Sequence, residues 1–295
     1  MAVLSKGTLF DPELVSDLVN KVQGKSSLAV LAKQVPVSFN GSKEFTFTLD
    51  QDVDVVAENG KKTEGGVTVE PVIINPIKIE YGARISDEFL YAADEEKINI
   101  LKAFNEGFAK KVARGLDLMA MHGVNPRTKQ ASTVIGTNHF DNLVSQTVQI
   151  TEDIEATIEG AVGVVQGSNG AVTGMAMSPV VSSMLAKLKV NGVRQYPELA
   201  WGANPGSING LPVDINSTVS EDVGKSDKAI VGDFANMFKW GYAKEVPLQV
   251  IEYGDPDNSG KDLKGYNQVY LRAEAYIGWA ILDAKSFARI VANPA

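Results

Sequence analysis

Two β-patterned runs joined by one polar segment, between Val35 and Tyr81, constrain this chain more than any other feature. The outgoing run sets Phe45, Phe47, Leu49, Val53 and Val55 against Lys43, Thr46, Thr48, Asp50, Asp52 and Asp54, the period of a strand with one apolar face. The return run carries Val67, Val69, Ile73, Ile77, Ile79 and Tyr81. Between them the tip reads Glu58-Asn59-Gly60-Lys61-Lys62-Thr63-Glu64-Gly65-Gly66. Asn59-Gly60 is expected to supply the positive φ angles of a tight hairpin turn, with the later glycines leaving room for a bulge. Pro71 and Pro76 have no N–H to give a ladder, so the return strand is an edge at those points. A two-stranded hairpin alone is marginal in water. Its apolar face therefore needs cover from elsewhere, and a second copy of the chain is a natural source.

At 295 residues and 44% hydrophobic content the chain can bury a large core, in one large or two modest domains. The absence of cysteine excludes disulfides, Cys-based zinc sites, thiolate catalysis and iron–sulfur ligation. The first residues show no basic region, apolar core and small-residue cleavage site, so cytoplasmic synthesis is expected, and no apolar run approaches bilayer length. A net charge of −8 with both signs interspersed argues against a surface built mainly to wrap nucleic acid. A local basic patch could still face DNA.

Asp11-Pro12-Glu13 signals a helix start, with Leu14, Leu18, Val22, Leu28, Leu31 and Val35 as its stripe and Gly24 as a break. Ser86-Asp87-Glu88 and Asp94-Glu95-Glu96 are two further starts. The second opens the longest periodic pattern, Ile98, Leu101, Phe104, Phe108, Val112, Leu116 and Met119, a helix running to His122-Gly123. Further on come a helix from Thr151 to Val165, a strand Val172–Met177, and a helix from Ser178-Pro179 to Lys189. Residues 190–209, rich in Gly, Asn and Pro, read as a long surface loop. Strands are expected at 211–215, 229–234, 246–252 and 268–280, the last two joined by the loop Gly254–Gly265. The segment Asp283–Val291 reads as a last helical turn or strand.

The chemistry-bearing patterns mostly fail on spacing. Asp50, Asp52 and Asp54 match the first ligands of a calcium loop, but the glycine position is Val55 and the bidentate glutamate position is Lys61. The row reads instead as a solvated strand face suited to salt bridges with a neighbour. Gly24-Lys25-Ser26 and Gly224-Lys225-Ser226 resemble the end of a phosphate loop, but Val19 and Val219 stand where its first glycine belongs. His122 and His139 lie in no metal or catalytic frame, and no nucleophile elbow or dinucleotide fingerprint occurs. Asn40 and Asn216 head glycosylation sequons that, without a secretion signal, are chance matches. No catalytic, cofactor-binding or metal residue is selected.

The order of arm, helix, long hairpin, long helix, α/β unit, wide loop and late strands resembles the major capsid proteins of tailed bacteriophages. The likeness is carried by Gly210-Leu-Pro-Val213, Lys228-Ala-Ile-Val-Gly-Asp-Phe234, Val269-Tyr-Leu-Arg-Ala-Glu-Ala275 and Ala284-Lys-Ser-Phe-Ala-Arg-Ile-Val291. It implies an α+β, HK97-like capsid fold with an N-terminal arm, an extended hairpin loop, a peripheral domain with a long spine helix, and an axial α/β domain. By that likeness residues 1–35 are the arm and first helix, 36–82 the extended loop, 83–149 with 241–295 the peripheral domain, and 150–240 the axial domain. It further implies a structural protein without catalysis or cofactor that assembles with itself as pentamers and hexamers into an icosahedral shell. The shell would enclose double-stranded DNA, touched without sequence specificity. A scaffolding protein and a portal are the implied partners, the virion the implied location, and no membrane is involved. Whether a scaffold segment was removed or a separate scaffold acts stays open. Asp50, Asp52, Asp54, Glu58, Asn59, Gly60, Lys61 and Lys62 become the expected intersubunit contacts, and Lys61 or Lys62 stands where some relatives carry a cross-linking lysine. Two other readings are a bacterial compartment shell of the encapsulin type and a soluble carboxylate-dependent enzyme with a dimerisation arm.

Overall fold

The computed structural model describes residues 26–49, 51–91, 94–221 and 226–292. The expected arm and the helix opening at Asp11 lie outside the described residues, as do Asp50 and the Gly224-Lys225 pair. In chain order the strands are β1 (Ser42–Leu49), β2 (Val67–Ile74), β3 (Ile77–Ser86), β4 (Thr147–Gln149), β5 (Gly174–Met177), β6 (Lys189–Val190) and β7 (Val193–Arg194). They continue with β8 (Ser207–Ile208), β9 (Leu211–Ile215), β10 (Asp227–Gly232), β11 (Phe238–Ile251), β12 (Gln268–Ile281) and β13 (Phe287–Val291). The chain is a mixture of helices and several sheets, as expected of the α+β class.

The long helix spans Asp94–His122, 29 residues, or about 43 Å at 1.5 Å per residue. Its stripe from Leu101 through Phe108, Val112, Leu116 and Met119 is buried, whereas Ile98, expected to begin it, is exposed. The helix stops at Gly123, whose φ of +64° suits glycine. The His139 ring lies 2.4 Å from where a Cβ would stand, so no larger residue fits without movement. The expected start at Ser86 is a single turn of 3₁₀ helix, Asp87–Tyr91.

Against the long helix packs an antiparallel sheet in the order β11-β12-β3. Its inward side chains, among them Trp240, Leu271, Ile277 and Trp279, share a core with the helix stripe and with Phe140, Phe234, Phe238 and Phe287. Phe140 meets Phe287 edge-on at 5.0 Å between ring centroids and Phe238 at 5.6 Å, a spacing typical of favourable aromatic pairs. β11 begins eight residues earlier than the alternation around Val246 suggested, because Phe238, Trp240 and Tyr242 face this core.

The second sheet has six strands in the order β4-β13-β10-β5-β9-β8, with β13/β4 and β5/β9 parallel and the other pairs antiparallel. Helix Ile154–Gly167 is capped by Asp153, whose carboxylate accepts from the Ala156 N–H at 3.0 Å, and helix Pro179–Lys187 starts on proline. Both bury their apolar sides against this sheet. The expected division left 147–149 and 287–291 with the peripheral segments. Strands β4 and β13 instead belong to the sheet formed largely by 150–240, because backbone pairing to β10 satisfies β13. The loop 190–209 is not structureless: β6 and β7 make a two-residue hairpin, and a 3₁₀ segment follows at Pro197–Gly202.

One carboxylate joins these parts. Asp117, fully buried on the long helix, accepts from Ser26 Oγ, from the Ser27 and Leu28 N–H groups at 3.0 and 3.2 Å, from Thr218 Oγ1 at 2.8 Å and from Asn216 Nδ2 at 3.3 Å. It thereby supplies acceptors for the orphan N–H groups that open the short helix Ser27–Leu31. Asp117→Ala is expected to lower subunit stability by about 3 kcal/mol or more, because several buried donors lose their partner together. Chemical unfolding of the soluble subunit checks it, and a loss below about 1 kcal/mol would contradict the pinning role.

Candidate intersubunit surface

The hairpin is rooted firmly and then left bare. Leaving helix Ser27–Leu31, the chain crosses β11, where the Val35 N–H donates to Trp240 O at 2.9 Å and Trp240 Nε1–H donates to Ala32 O at 3.0 Å. The crossing requires Gly241, since a Cβ there would sit 1.9 Å from Val35 O. Val37 and Ile74, one from each limb of the hairpin, are buried with Ala280 of β12. Phe39 stacks edge-on against Tyr276 at 4.9 Å, with Lys244 Nζ 5.9 Å from its ring centre.

Beyond that root, β1 and β2 pair antiparallel with Phe45 opposite Pro71, Phe47 opposite Val69 and Leu49 opposite Val67. Directly opposed residues share a face, so Phe45, Phe47, Leu49, Val67, Val69 and Pro71 form one continuous apolar side. Among the described residues nothing covers it: Phe45, Phe47 and Leu49 are 65, 64 and 63% exposed. The other face carries Glu44, Thr46, Glu70 and Val72. Full burial of one large apolar side chain stabilises by about 1.5–3 kcal/mol, so covering this face is worth on the order of 10 kcal/mol.

The tip departs from expectation. β1 stops at Leu49, so Val53 and Val55 are loop residues, 94 and 96% exposed, and Asp52 and Asp54 stand in the loop rather than in a row on a strand. Continuing the observed register would set Gln51 against Gly65 and Asp52 against Glu64. A side-chainless partner and opposed like charges both disfavour further pairing. The turn closes between Ala57 and Gly60, whose N–H donates to Ala57 O at 2.8 Å, with Glu58 and Asn59 at its corners. The left-handed backbone expected of Asn59-Gly60 does not occur there. Glu58, Asn59, Gly60, Lys61 and Lys62 are all exposed.

Other apolar groups stand bare. Tyr91, Ile98 and Ile100 are exposed around the start of the long helix, and Val190, Val193 and Trp201 on the 190–209 segment.

The polar cluster of this fold lies inside. His122, to which sequence spacing assigns no partner, has its Nδ1 2.8 Å from Asp141 Oδ2 and its Nε2 2.8 Å from Thr218 O. Arg289 of β13 donates through Nη2 to Asp227 Oδ1 at 2.8 Å and pairs with Asp141 Oδ1 at 3.3 Å. Burial disfavours the charged imidazole, but the Asp141 hydrogen bond and charge outweigh it and raise the His122 pKa. Burial likewise opposes ionisation of Asp141, yet His122 and Arg289 hold its carboxyl below the usual range, while burial and the Asp141 carboxylate push Asp227 up to about 8. The two carboxylates thus share a proton at neutral pH. His139, half-buried beside them, is lowered by desolvation. One atom each from His122, Asp141 and Asp227 lie within 4.8 Å of one another, a spacing that could hold a metal ion, but Arg289 already pairs with both carboxylates. Their sequence separation, 19 positions between His122 and Asp141 and 62 between Asp227 and Arg289, leaves no local pattern to read.

This architecture, a rooted hairpin, a long helix on a three-stranded sheet and a six-stranded α/β layer, defines a shell subunit of the HK97-like capsid class. The family model of the phage capsid family matches residues 6–292. A solved structure from Mycobacterium phage Ogopogo superimposes with a TM-score of 0.77 at 30% identity, covering 91% of this chain and 92% of that one. A structure from Gordonia phage Cozz gives 0.75 at 26% identity, covering 92% and 87%. The capsid of an empty GTA particle shares the fold, with a TM-score of 0.65 at 16% identity over 92% of this chain and 90% of that one. No curated protein sequence matches the chain. The chain belongs to the phage capsid family, and it is a structural major capsid protein. Among the described residues no helix is long and apolar enough to cross a membrane.

The buried proton has a measurable consequence. His122 is raised above its ordinary 6.5, so its contribution is complete below that pH and lost as pH climbs through the folded value. Asp227, raised from 3.8 to about 8, keeps its proton in the native state where the unfolded chain has lost it, and stability again declines as pH rises. The unfolding midpoint of the subunit should therefore fall from about pH 4 upward and most steeply between about pH 6.5 and 8, where both groups act, and Asp227→Asn should flatten that decline, by about 1–2 kcal/mol across the steep range. A midpoint indifferent to pH, or an unchanged slope in the variant, would contradict proton sharing.

Proposed function

We propose that copies of this chain assemble as pentamers and hexamers into the icosahedral shell of a tailed phage, around packaged double-stranded DNA, and that the hairpin makes the principal contact between neighbours. The observation that carries this is the bare apolar face of β1 and β2 on a root that holds it in place. A face worth that much burial is a liability in a free subunit and an asset only when another copy covers it. Exposed Tyr91, Ile98 and Ile100 near the start of the long helix offer an apolar seat for a neighbour's face. The residues Asp50, Asp52, Asp54, Glu58, Asn59, Gly60, Lys61 and Lys62 would meet charged partners at the rim of that contact, those from Asp52 onward as a loop rather than as a strand face.

In this reading the six-stranded sheet and its helices, including β4 and β13, form the axial domain, and the long helix with β3, β11 and β12 forms the peripheral domain. The protein performs assembly and no catalysis, and needs no cofactor. A scaffolding protein and a portal complete the particle, DNA contacts the inner surface without sequence specificity, and synthesis takes place in the host cytoplasm before incorporation into the virion. Lys61 and Lys62 keep the tip soluble and its edge protected rather than forming a covalent bond.

Deleting residues 54–66 should leave a soluble, folded subunit that no longer closes into shells, and Phe45→Ser with Phe47→Ser should do the same. Light scattering and electron microscopy distinguish megadalton hollow particles from free capsomers, and a deletion variant that still closes would remove the hairpin from this role. Wild-type shells boiled in denaturant should run as monomer bands; a ladder abolished by Lys61→Ala and Lys62→Ala would show a cross-link instead.

A further inference from the structure

The loop between β11 and β12 contains Asp255-Pro256-Asp257-Asn258-Ser259-Gly260-Lys261. Counted from Asp255, oxygen-bearing side chains stand at the first, third and fifth positions, glycine at the sixth, and a backbone carbonyl is available at the seventh, the opening half of a calcium loop. The backbone bends as such a loop does. Asp255 accepts from the Ser259 N–H at 2.9 Å, from Ser259 Oγ at 3.1 Å and from the Gly260 N–H at 2.7 Å, with Gly260 at φ +79°. The twelfth position is Tyr266, so the bidentate glutamate is missing, and strands rather than helices flank the loop.

The cation position is filled from within the chain. Arg84, on β3, donates through Nη2 to Asp255 Oδ1 at 2.6 Å, to Asp257 Oδ1 at 2.5 Å and to Lys261 O at 2.9 Å. One nitrogen therefore touches the oxygens of the first, third and seventh positions together. Its Nε adds a bond to Asp257 Oδ2 at 3.0 Å, and Nη1 one to Gln268 Oε1 at 3.2 Å. The guanidinium side chain is only 15% exposed.

We infer that Arg84 is the resident cation of a calcium-type loop, so that residues 254–265 keep their closed form without a metal ion. Arg84 holds the Asp257 carboxyl well below its usual range, as a cation in that position must. The planar fork suits the task better than an ammonium would, because while Nη2 meets both carboxylates and the carbonyl, Nε and Nη1 add fixed bonds to Asp257 and Gln268. By tying β3 to the far end of β11 and β12, the same group fixes the loop that presents Tyr253 and Tyr266 to solvent.

The test is limited trypsin digestion of the purified subunit, scored at Lys261 and Lys264, with and without calcium chloride. Wild type should resist cleavage equally in both conditions. Arg84→Met, which keeps the aliphatic length along β3, should be cut at least about tenfold faster, and calcium at about millimolar concentration, the range of weak loops lacking full ligand charge, should restore protection. Adding Asp257→Asn to that variant should abolish the rescue. The inference is overturned if Arg84→Met is cut no faster than wild type, if its loop opens but ignores calcium, or if calcium protects wild type as well. An independent arm keeps Arg84 and replaces both carboxylates: Asp255→Asn with Asp257→Asn must open the loop with no response to calcium, and a closed loop there overturns the assignment too.

Discussion

Asp117 is the acceptor on which the arrangement of the subunit turns. A carboxylate sealed inside a protein is tolerable only when its lone pairs are matched, and here the donors reach the long helix from two separate stretches of chain, 26–28 and 216–218. Meeting that demand sets where the short helix begins. That in turn fixes where Ala32 and Val35 run across β11, and so the angle at which the hairpin leaves the body. The hairpin's aim is thus determined by a group far from its tip.

Much of this fold was legible in the sequence because its elements announce themselves over short distances. The alternation of Phe45, Phe47 and Leu49 marked β1, the Leu101-to-Met119 stripe marked the long helix, and Asp153 and Pro179 marked helix starts that the structure places within a residue or two. What misled was pattern continued past its physical limit. Val53 and Val55 keep the strand period, yet the partner chain offers Gly65, Gly66 and Glu64, which cannot sustain a ladder. Ile98 keeps the helical period but precedes the part of the helix that has a sheet beneath it.

The polar groupings were illegible for a different reason. His122, Asp141, Asp227 and Arg289 come from four stretches of chain that only the closed core brings together. The Arg84 clamp combines a local pattern, Asp255 to Lys261, with a strand far earlier in the chain. In both, an arginine neutralises carboxylates within the subunit, so the charge that remains for neighbours lies largely at the hairpin tip and on the surface. The exposed apolar face had the opposite character: its composition was readable at once, while its lack of cover became visible only with the body in place.

The position of β13 has a bearing on timing. This strand lies between the edge strand β4 and β10, so β4 has no place in the six-stranded sheet until residues 287–291 exist. Pairings of such large sequence separation are slow to form, and the open edges of β4 and β10 are exposed meanwhile. A nascent chain would carry a finished hairpin pattern long before it could complete the layer behind it.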